Sequence, residues 1–497
     1  MRARLLWEVG KKQAVDIFNK FLRFQKFESL ASSNLYTWFN LHFKASIQDK
    51  LPLVLTIAAM YLVTAGVYLG AANLEYKAVA ELDVIRAVML VVLAPLLCKY
   101  VFQLASALLY PFVEVLRAKR LAPDWQPSVS VIIPAWNEEV GIVKTIKSVI
   151  DTKYAPLQII VINDGSSDST HEQICKFITD YEAQLRQGVT FVYINQSNTG
   201  KARALNRALL EATGEIVITI DADSVMDRDA ITHFVSRFSC PRVGAVAGNV
   251  IVGNRRKSVE WMQQLEYMYG FFFKRADSIF NSIYIVGGAA AAYRKDILME
   301  MGGFDHSIIT EDIEMSTRIL SRGYKTRYAA DAVVYTEGPS DFKGLCNQRL
   351  RWKYGRILTF IKHRSLFFRV QSNINPYLTL MLLPMAVYAE FLLLLEFFML
   401  AIFFFYTFMV NDYMPLAMVI TILAVVSIVQ IMLDSKQRFH RNLILLAPVA
   451  WLVFYVMDMI ELQALYRSLK RFILRRELKW QKWVRVGLLS NSGLGQS

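Results

Sequence analysis

The amino-acid sequence predicts an α/β domain inserted between transmembrane α-helices. Apolar runs at residues 51–70 and 87–109, and further runs after residue 376, are long enough to cross the hydrocarbon core of a bilayer. Between residues 128 and 340, short apolar strands alternate with helical stretches, which favours a mostly parallel sheet covered by helices. A hydrophobic content of 54% and a mean hydropathy of +0.31 fit this division.

Changes in composition divide the 497 residues into six segments. These are a basic amphipathic N-terminal segment (1–50), two transmembrane helices (51–114), a cytoplasmic α/β domain (115–340), interfacial helices (341–375), C-terminal transmembrane helices (376–465) and a basic cytoplasmic tail (466–497). The strands are predicted at 128–133, 157–162, 190–194, 216–220, 243–246 and 332–335.

The distribution of basic residues predicts the orientation in the membrane. Arg117, Lys119 and Arg120 follow the second span, so the positive-inside rule puts the α/β domain in the cytoplasm, on a multi-pass protein of the plasma (inner) membrane. The tail is also basic and should lie on the same side. Three C-terminal runs cannot all cross if this is so; either the run at 377–410 crosses twice or a later one does not cross.

The net charge of +14 is best explained by the lipid bilayer. Basic residues cluster beside the apolar runs and not on a recognition motif, so we expect no nucleic-acid partner. The four cysteines are scattered without a C-x-x-C pair, which is typical of reduced structural thiols.

Two carboxylates follow the predicted strand at 216–220. Asp221 and Asp223 stand where ligands bind in open α/β sheets, at the carboxyl end of a strand. Two neighbouring carboxylates favour a hard divalent cation that also binds substrate phosphates. Taken alone, an ordinary acidic turn explains the pair equally well.

Two further motifs of the α/β domain point to a nucleotide. Asp164 ends the second strand, with Gly165 allowing a sharp turn. Lys201 opens a helix, where its charge opposes the helix dipole unless an anion such as a diphosphate binds there. For Asp164, an Asp-Gly-Ser turn with a capping side chain is the ordinary alternative.

The last two motifs point to an acceptor and to a departing diphosphate. Glu311 and Asp312 open a later helix, where a carboxylate can act as the general base for an attacking hydroxyl, although acids in a first turn also simply complement the dipole. In the sequence Gln348-Arg349-Leu350-Arg351-Trp352, alternate arginines can grip a diphosphate and the indole can stack on a sugar. The alternative is a set of arginines and a tryptophan at the membrane interface.

In combination and order, these motifs resemble the processive family 2 glycosyltransferases, which include bacterial poly-β-1,6-N-acetylglucosamine, cellulose, hyaluronan and chitin synthases. The resemblance covers roughly residues 125–360, and the flanking spans match by layout. It implies a GT-A fold, a nucleotide-sugar donor (a UDP-sugar), Mg²⁺ or Mn²⁺ as cofactor, and a growing polysaccharide as acceptor. A small accessory membrane subunit is a further partner that it suggests.

The resemblance also implies a role for each motif residue. Nucleotide-sugar binding falls to Ala135, Trp136, Glu138, Asp164, Lys201 and Asp221; metal binding to Asp221 and Asp223; catalysis to Glu311, Asp312, Arg349 and Arg351; acceptor binding to Gln348 and Trp352. Asp312 is the implied base, and the two arginines steady the departing UDP. Position 136 is Trp where the family often has Tyr, and the tail around Arg485 loosely resembles the gating segment of hyaluronan and chitin synthases.

Two other functions are compatible with parts of the sequence. A non-processive enzyme that adds one sugar to a lipid carrier would share the nucleotide-sugar motifs but would not need the Gln348–Trp352 segment. A membrane transporter or scaffold with a nucleotide-sensing domain would account for intramembrane charges such as Glu390 and Asp458. For the donor, UDP-N-acetylglucosamine is our prediction, with UDP-glucose and GDP-mannose as alternatives.

Overall fold

The computed structural model describes residues 47–77, 79–119, 125–181 and 186–476, together with residues 478, 485, 487 and 488. Residues 1–46 of the predicted amphipathic segment and most of the tail lie outside these residues. The described residues from Met60 onward belong to one compact unit, and those up to Ala59 belong to a separate one.

Five helices of the described chain are long and apolar enough to cross a membrane. Two precede the α/β domain, α1 (Ile47–Asn73) and α2 (Ala80–Ala118). Three follow it, α11 (Leu383–Val410), α12 (Met414–Leu433) and α13 (Ala450–Ile473). A π-helical turn, Tyr377–Leu382, leads directly into α11, so the run at 377–410 is one continuous helical segment and not two.

The α/β domain contains eight strands among the described residues. They are β1 (Val129–Ala135), β2 (Leu157–Asp164), β3 (Val189–Gln196), β4 (Ile216–Thr219), β5 (Val225–Met226), β6 (Val243–Val252), β7 (Ala291–Arg294) and β8 (Lys325–Thr336). The helices are α3 (Ile142–Ile150), α4 (Thr170–Tyr181), α5 (Lys201–Glu211), α6 (Ala230–Val235), α7 (Ser258–Ile279), α8 (Lys295–Glu300), α9 (Glu311–Ser321) and α10 (Phe342–Lys362).

The strands form one mixed sheet in the order β3-β2-β1-β4-β7-β6-β8-β5. Strands β3, β2, β1 and β4 are parallel, as are β6 and β8. Strand β7 runs antiparallel to both β4 and β6, and the short β5 runs antiparallel to β8. The prediction of a mostly parallel sheet therefore missed β7 and β5, because strands of four and two residues are too short to show a pattern.

The apolar strands are buried on both faces, as continuous hydrophobic runs predict. Ile132 and Ile133 are adjacent on β1, yet neither is exposed to solvent, because each packs into a different core on its side of the sheet. The parallel strands β2 and β4 consequently present their carboxyl ends at one edge, beside α5 and α9. That edge is where the predicted motifs meet.

Contacts along α1 give its direction relative to α12. Gly70 packs against Tyr413 at one end of α1, and the Tyr68 hydroxyl pairs with the Thr421 hydroxyl at 2.8 Å. Nearer the other end, the Tyr61 hydroxyl donates to the Leu445 carbonyl at 2.8 Å. Helix α12 therefore runs antiparallel to α1.

The chain on either side of α13 contacts the α/β domain. Before it, Lys436 forms an ion pair with Asp227 at 2.7 Å. After it, Tyr354 on α10 donates to the Arg476 carbonyl at 3.4 Å, and Arg485 reaches Glu138. Both flanks of α13 therefore lie against the domain.

Candidate active site

A partly buried ion-pair cluster joins the D-x-D motif to helix α9. Lys201, the first residue of α5, donates to Asp221 Oδ1 at 2.7 Å and lies 3.1 Å from Glu311 Oε1. Burial by itself lowers the pKa of Lys201, but the two carboxylates outweigh it and raise that pKa above its ordinary value. The lysine predicted to face a diphosphate is thus fixed between two acidic motifs, which the fold brings together from residues 90 positions apart.

The pKa values of the two acidic partners of Lys201 are shifted in opposite directions. Burial raises the pKa of Glu311, with Lys201 only partly opposing and Asp312 reinforcing the rise. Burial also acts to raise the pKa of Asp221, but Lys201 and then Arg351 reverse the effect and lower it. Asp221 is therefore held as the anion that cation binding requires.

Asp223 is held by contacts at both of its carboxylate oxygens. Oδ1 accepts from the Ser224 hydroxyl at 2.9 Å and from the Thr336 hydroxyl at 3.3 Å. Oδ2 lies 2.6 Å from a guanidinium nitrogen of Arg485. The carboxylate is thus oriented by neutral donors on one side and balanced by a cation on the other.

The Asp221/Asp223 pair fits a hard divalent cation. Within the described part of the chain, no three His, Cys, Asp or Glu side chains are gathered as a complete metal centre. Magnesium-type sites at diphosphates need only one or two carboxylates, because the substrate phosphates supply further oxygens. The positive charge that each aspartate already attracts, from Lys201 or from Arg485, is consistent with this chemistry.

The backbone of a Gly-Gly turn positions Asp312. The Gly288 amide donates to Asp312 Oδ2 at 2.7 Å. Gly287 has φ +89°, a left-handed conformation, and a Cβ on Gly288 would come within 3.0 Å of the Lys201 amine. Sequence reasoning missed this turn; the adjacent glycines ahead of a short strand were the available signal.

Asp164 is committed to the loop ahead of α5. Its Oδ1 accepts from the Thr199 amide at 2.9 Å and from the Gln196 side chain at 2.7 Å, and its Oδ2 accepts from the Gly200 amide at 2.8 Å. The side chain is buried. Asp164 therefore fixes the loop that delivers Lys201. Its role in nucleotide-sugar binding stays a prediction.

The first-strand motif lies at the same edge of the sheet. Ala135 ends β1 and is buried, and Trp136 is partly exposed in the loop that follows. The Glu138 amide donates to the Thr170 hydroxyl at 2.8 Å. The Glu138 carboxylate accepts two hydrogen bonds from Arg485, at 2.9 and 3.1 Å.

The two arginines of the Gln348–Trp352 segment face different surroundings. Burial lowers the pKa of Arg351, and the carboxylates of Glu311, Asp221 and Asp312 oppose this change. Arg349 instead donates to both oxygens of Glu266, at 2.8 and 2.6 Å.

Arg349 is further engaged on its other side. It lies 3.5 Å from Glu461 on α13, and its guanidinium is 4.3 Å from the centre of the Trp352 ring. Arg349 therefore contacts Glu266, Glu461 and Trp352, whereas the acidic groups that act on the pKa of Arg351 include Asp221 of the D-x-D motif. The two arginines differ because residues two apart on a helix point in different directions.

A platform of polar and aromatic groups adjoins Arg351 on α10. Gln348 is buried, and its Oε1 has no hydrogen-bond partner among the described residues. Trp352 contacts Tyr267 on α7 with ring centres 6.2 Å apart. A buried acceptor oxygen without a donor is costly. The predicted contact of Gln348 and Trp352 with an acceptor stays a prediction.

Comparisons with known proteins agree with this geometry. The sequence model described as "Glycosyltransferase like family 2" matches residues 127–355. Poly-β-1,6-N-acetyl-D-glucosamine synthase of Staphylococcus aureus (strain COL) is 32% identical over 236 residues, which are 47% of this chain and 55% of that protein. The enzyme of the same name from Staphylococcus epidermidis is 34% identical over 230 residues, 46% of this chain and 54% of that protein. The matches span about half the length of these relatives.

Among solved structures, a mannosyltransferase from Pyrobaculum calidifontis, in complex with GDP-Man and Mn²⁺, aligns with a TM-score of 0.45 and 23% identity, covering 72% of this chain and 99% of that one. The family match and the curled mixed sheet give the α/β domain a GT-A-like fold, flanked by helices apolar enough to span a membrane. Residues 127–355 of the chain therefore match a glycosyltransferase domain of family 2.

Proposed function

We propose that the protein is a membrane-embedded inverting glycosyltransferase that polymerises a β-linked polysaccharide from a nucleotide-sugar and passes it across the membrane. The observation that carries the proposal is the meeting of Lys201 with Asp221 and Glu311 at the carboxyl edge of the sheet, where both carboxylates also act on the charge of Arg351. Helix α10, which bears Arg351, continues from this edge into contact with α13. Charges suited to a nucleoside diphosphate and helices suited to a bilayer are therefore directly connected.

The residues of the candidate site divide the reaction among them. Asp312, oriented by the Gly288 amide, removes the proton from the acceptor hydroxyl. The freed oxygen bonds to the anomeric carbon as the bond from that carbon to the diphosphate oxygen breaks on the opposite face, which inverts the configuration.

The negative charge that develops on the diphosphate faces Arg351. A divalent cation bound at Asp221 and Asp223 would supply further charge neutralisation for the leaving group. Arg349 serves differently in this proposal: clamped by Glu266 and Glu461, it stacks on Trp352 and steadies the acceptor platform.

The proposals that the product is a polymer and that it passes across the membrane are supported by the residues around α10. The unpartnered Gln348 oxygen and the Trp352 ring suit the hydroxyls and the C–H face of a terminal sugar. Next to them, Lys353 lies 2.7 Å from Glu390 on α11 and 3.0 Å from Glu461 on α13. Charged groups among apolar helices are typical of a path for a polar solute.

We propose UDP-N-acetylglucosamine as the donor. The two staphylococcal relatives, named as poly-β-1,6-N-acetyl-D-glucosamine synthases, support this choice. The geometry of the candidate site agrees with other nucleotide-sugars as well, so donor identity is a question for direct measurement.

The experiment is incubation of the purified full-length protein in lipid nanodiscs with radiolabelled UDP-N-acetylglucosamine, UDP-glucose or GDP-mannose and Mg²⁺ or Mn²⁺, followed by linkage analysis. We expect a polymer from the first donor alone. Asp223→Ala and Asp312→Asn should abolish it, whereas the matched control Asp229→Asn, on the surface before α6, should not. A product with one added sugar would identify a non-processive transferase, and full turnover in both site variants would refute the enzymatic proposal.

A further inference from the structure

The three acids in the first turn of α9 are bound by three different elements. Glu311 pairs with Lys201 at the start of α5. Asp312 accepts a hydrogen bond from the Gly288 amide. The third acid, Glu314, is directed to the end of α10. Glu314 therefore supplies a third point of attachment, which fixes the orientation of the turn that carries the proposed base.

The Glu314 carboxylate is completely buried, and three side chains surround it. Lys362 donates to Oε1 at 2.6 Å, and Nε2 of His363 lies 3.1 Å from the same oxygen. Arg318 donates to Oε2 from two nitrogens, at 3.1 and 2.5 Å. Burial by itself would raise the pKa of Glu314, but hydrogen bonds from His363 and Lys362 and the charge of Arg318 outweigh burial and lower that pKa. Glu314 is therefore held as an anion.

Lys362, the last residue of α10, also binds the loop that follows α8. Its amine donates to Asp305 Oδ2 at 2.5 Å. Next to Asp305, the Phe304 amide donates to the Asn206 side chain at 2.7 Å, and the Phe304 carbonyl accepts from the same side chain at 2.8 Å. Asn206 lies on α5, so this loop connects the end of α10 to the helix on the donor side of the candidate site.

These contacts close a ring through three helices, one of which carries the proposed base. The pair of Lys201 and Glu311 joins α5 to α9. The pair of Glu314 and Lys362 joins α9 to α10. The loop after α8 joins α10 back to α5. Because it is costly to break a buried ion pair or to leave a buried polar group unpaired, one helix of the ring cannot shift unless another moves with it.

We propose that Glu314 and Lys362 are positioning residues, which hold the carboxylate of Asp312 at a fixed distance from α5 and so from the donor. This inference rests on the function proposed above. Both residues act on Asp312 through the rigid first turn of α9. The Lys362 amine binds the carboxylates of Asp305 and Glu314 together, so its loss leaves two like charges that push the loop and α9 apart.

The test measures steady-state sugar transfer by the full-length protein in nanodiscs. The Lys362 side chain is 39% exposed, so Lys362→Met, which keeps the length of the side chain, should fold. We expect its kcat to fall about tenfold, since a misplacement of about 1 Å at a catalytic group costs about 100-fold. The KM for the donor should be nearly unchanged, because Lys201 and Asp221 keep their contact. Lys362→Arg should restore most of the turnover.

A matched control and a second variant separate positioning from a general loss of stability. The control Glu211→Gln removes a carboxylate from an exposed ion pair with Arg207 on α5 and should change neither kcat nor KM. Asn206→Ala opens the ring at the opposite link and should also lower kcat. Combining it with Lys362→Met should lower kcat little further, because a ring that is already open transmits no position.

Amide hydrogen exchange gives a readout that needs no turnover. The Phe304 amide is bonded to Asn206, and the Ile313 amide of α9 is bonded to Asp312 Oδ1 at 2.9 Å. In Lys362→Met, exchange of both amides should accelerate about tenfold. Unchanged exchange, or a kcat equal to that of the wild type, overturns the positioning role and leaves the proposed function intact. A wild-type protein that transfers no sugar from any donor would overturn both.

Discussion

Replacing Gly355 by alanine tests whether helix α10 must lie directly against Thr310, which precedes the proposed catalytic helix α9. A Cβ at Gly355 would come within 2.1 Å of the Thr310 hydroxyl oxygen and 2.8 Å of Thr310 Cβ. Ordinary contact begins near 3.4 Å, so the two segments must separate by about 1.3 Å. Thr310 is the residue immediately before Glu311 and Asp312, so the displacement acts on the proposed base.

The geometry sets the size of the expected effect. Overpacking of a tight contact costs about 1–3 kcal/mol of folding stability. A misplacement of about 1 Å at a catalytic group lowers turnover about 100-fold. We therefore expect Gly355→Ala to lower kcat about 100-fold, with a smaller change in donor affinity, because Lys201 and Asp221 lie on other elements.

The assay is steady-state sugar transfer by nanodisc-reconstituted protein, with thermal unfolding measured in parallel. The matched control is Gly270→Ala, since Gly270 is also inside a helix but an added Cβ meets nothing within 4 Å. That control should be neutral or slightly stabilising. Adding Thr310→Ala to Gly355→Ala should recover part of the lost turnover, because it removes the closest clashing atom. Turnover within threefold of wild type in Gly355→Ala alone would refute the reasoning.

Two further predictions concern the acceptor platform and the membrane topology. Burial raises the pKa of Glu266 to about 7, despite Arg349. A raised pKa stabilises the fold fully at pH values below the pKa of the unfolded state, and this stabilisation is lost as pH rises through 7, so the wild-type protein should lose up to about 3 kcal/mol of folding free energy between pH 4.5 and 7.5. In denaturant titrations, the stability of Glu266→Gln should depend less on pH across that window. An equal slope in both proteins would show that Glu266 does not titrate there. Since both flanks of α13 contact the domain, α13 should not cross the bilayer completely. In a cysteine-free background, an impermeant maleimide added to one side of the membrane should label Arg203→Cys, Arg438→Cys and Arg476→Cys, and added to the other side it should label Lys77→Cys. Labelling of Arg476→Cys from the same side as Lys77→Cys would contradict this topology.

The motifs of the candidate site were predictable because each lies within a few consecutive residues of the sequence. A strand of β-branched residues followed by acids, as in Ile216 to Asp223, predicts both the strand and the place of its functional groups. The same holds for Lys201 at the start of α5 and for Glu311 and Asp312 at the start of α9. Their order along the chain also carried the resemblance that the family match confirmed.

The tertiary structure alone decided which of these groups meet. Arg349 and Arg351 are equivalent in a pattern of alternate arginines, yet one is clamped by Glu266 and the other faces Asp221. The antiparallel strand β7 and the turn at Gly288 that positions Asp312 depend on pairing between distant segments.

The docking of Arg485 on Asp223 shows the same division most clearly. The basic tail and the D-x-D motif were both visible in the sequence, but they lie 262 positions apart. Local propensity and hydrophobic periodicity act over a few turns of chain, whereas an ion pair of this kind forms only because the whole domain and the returning C-terminal helices bury its carboxylates together. The sequence by itself thus determined the chemistry available to the protein, and the fold decided which cation stands at the metal-binding candidate.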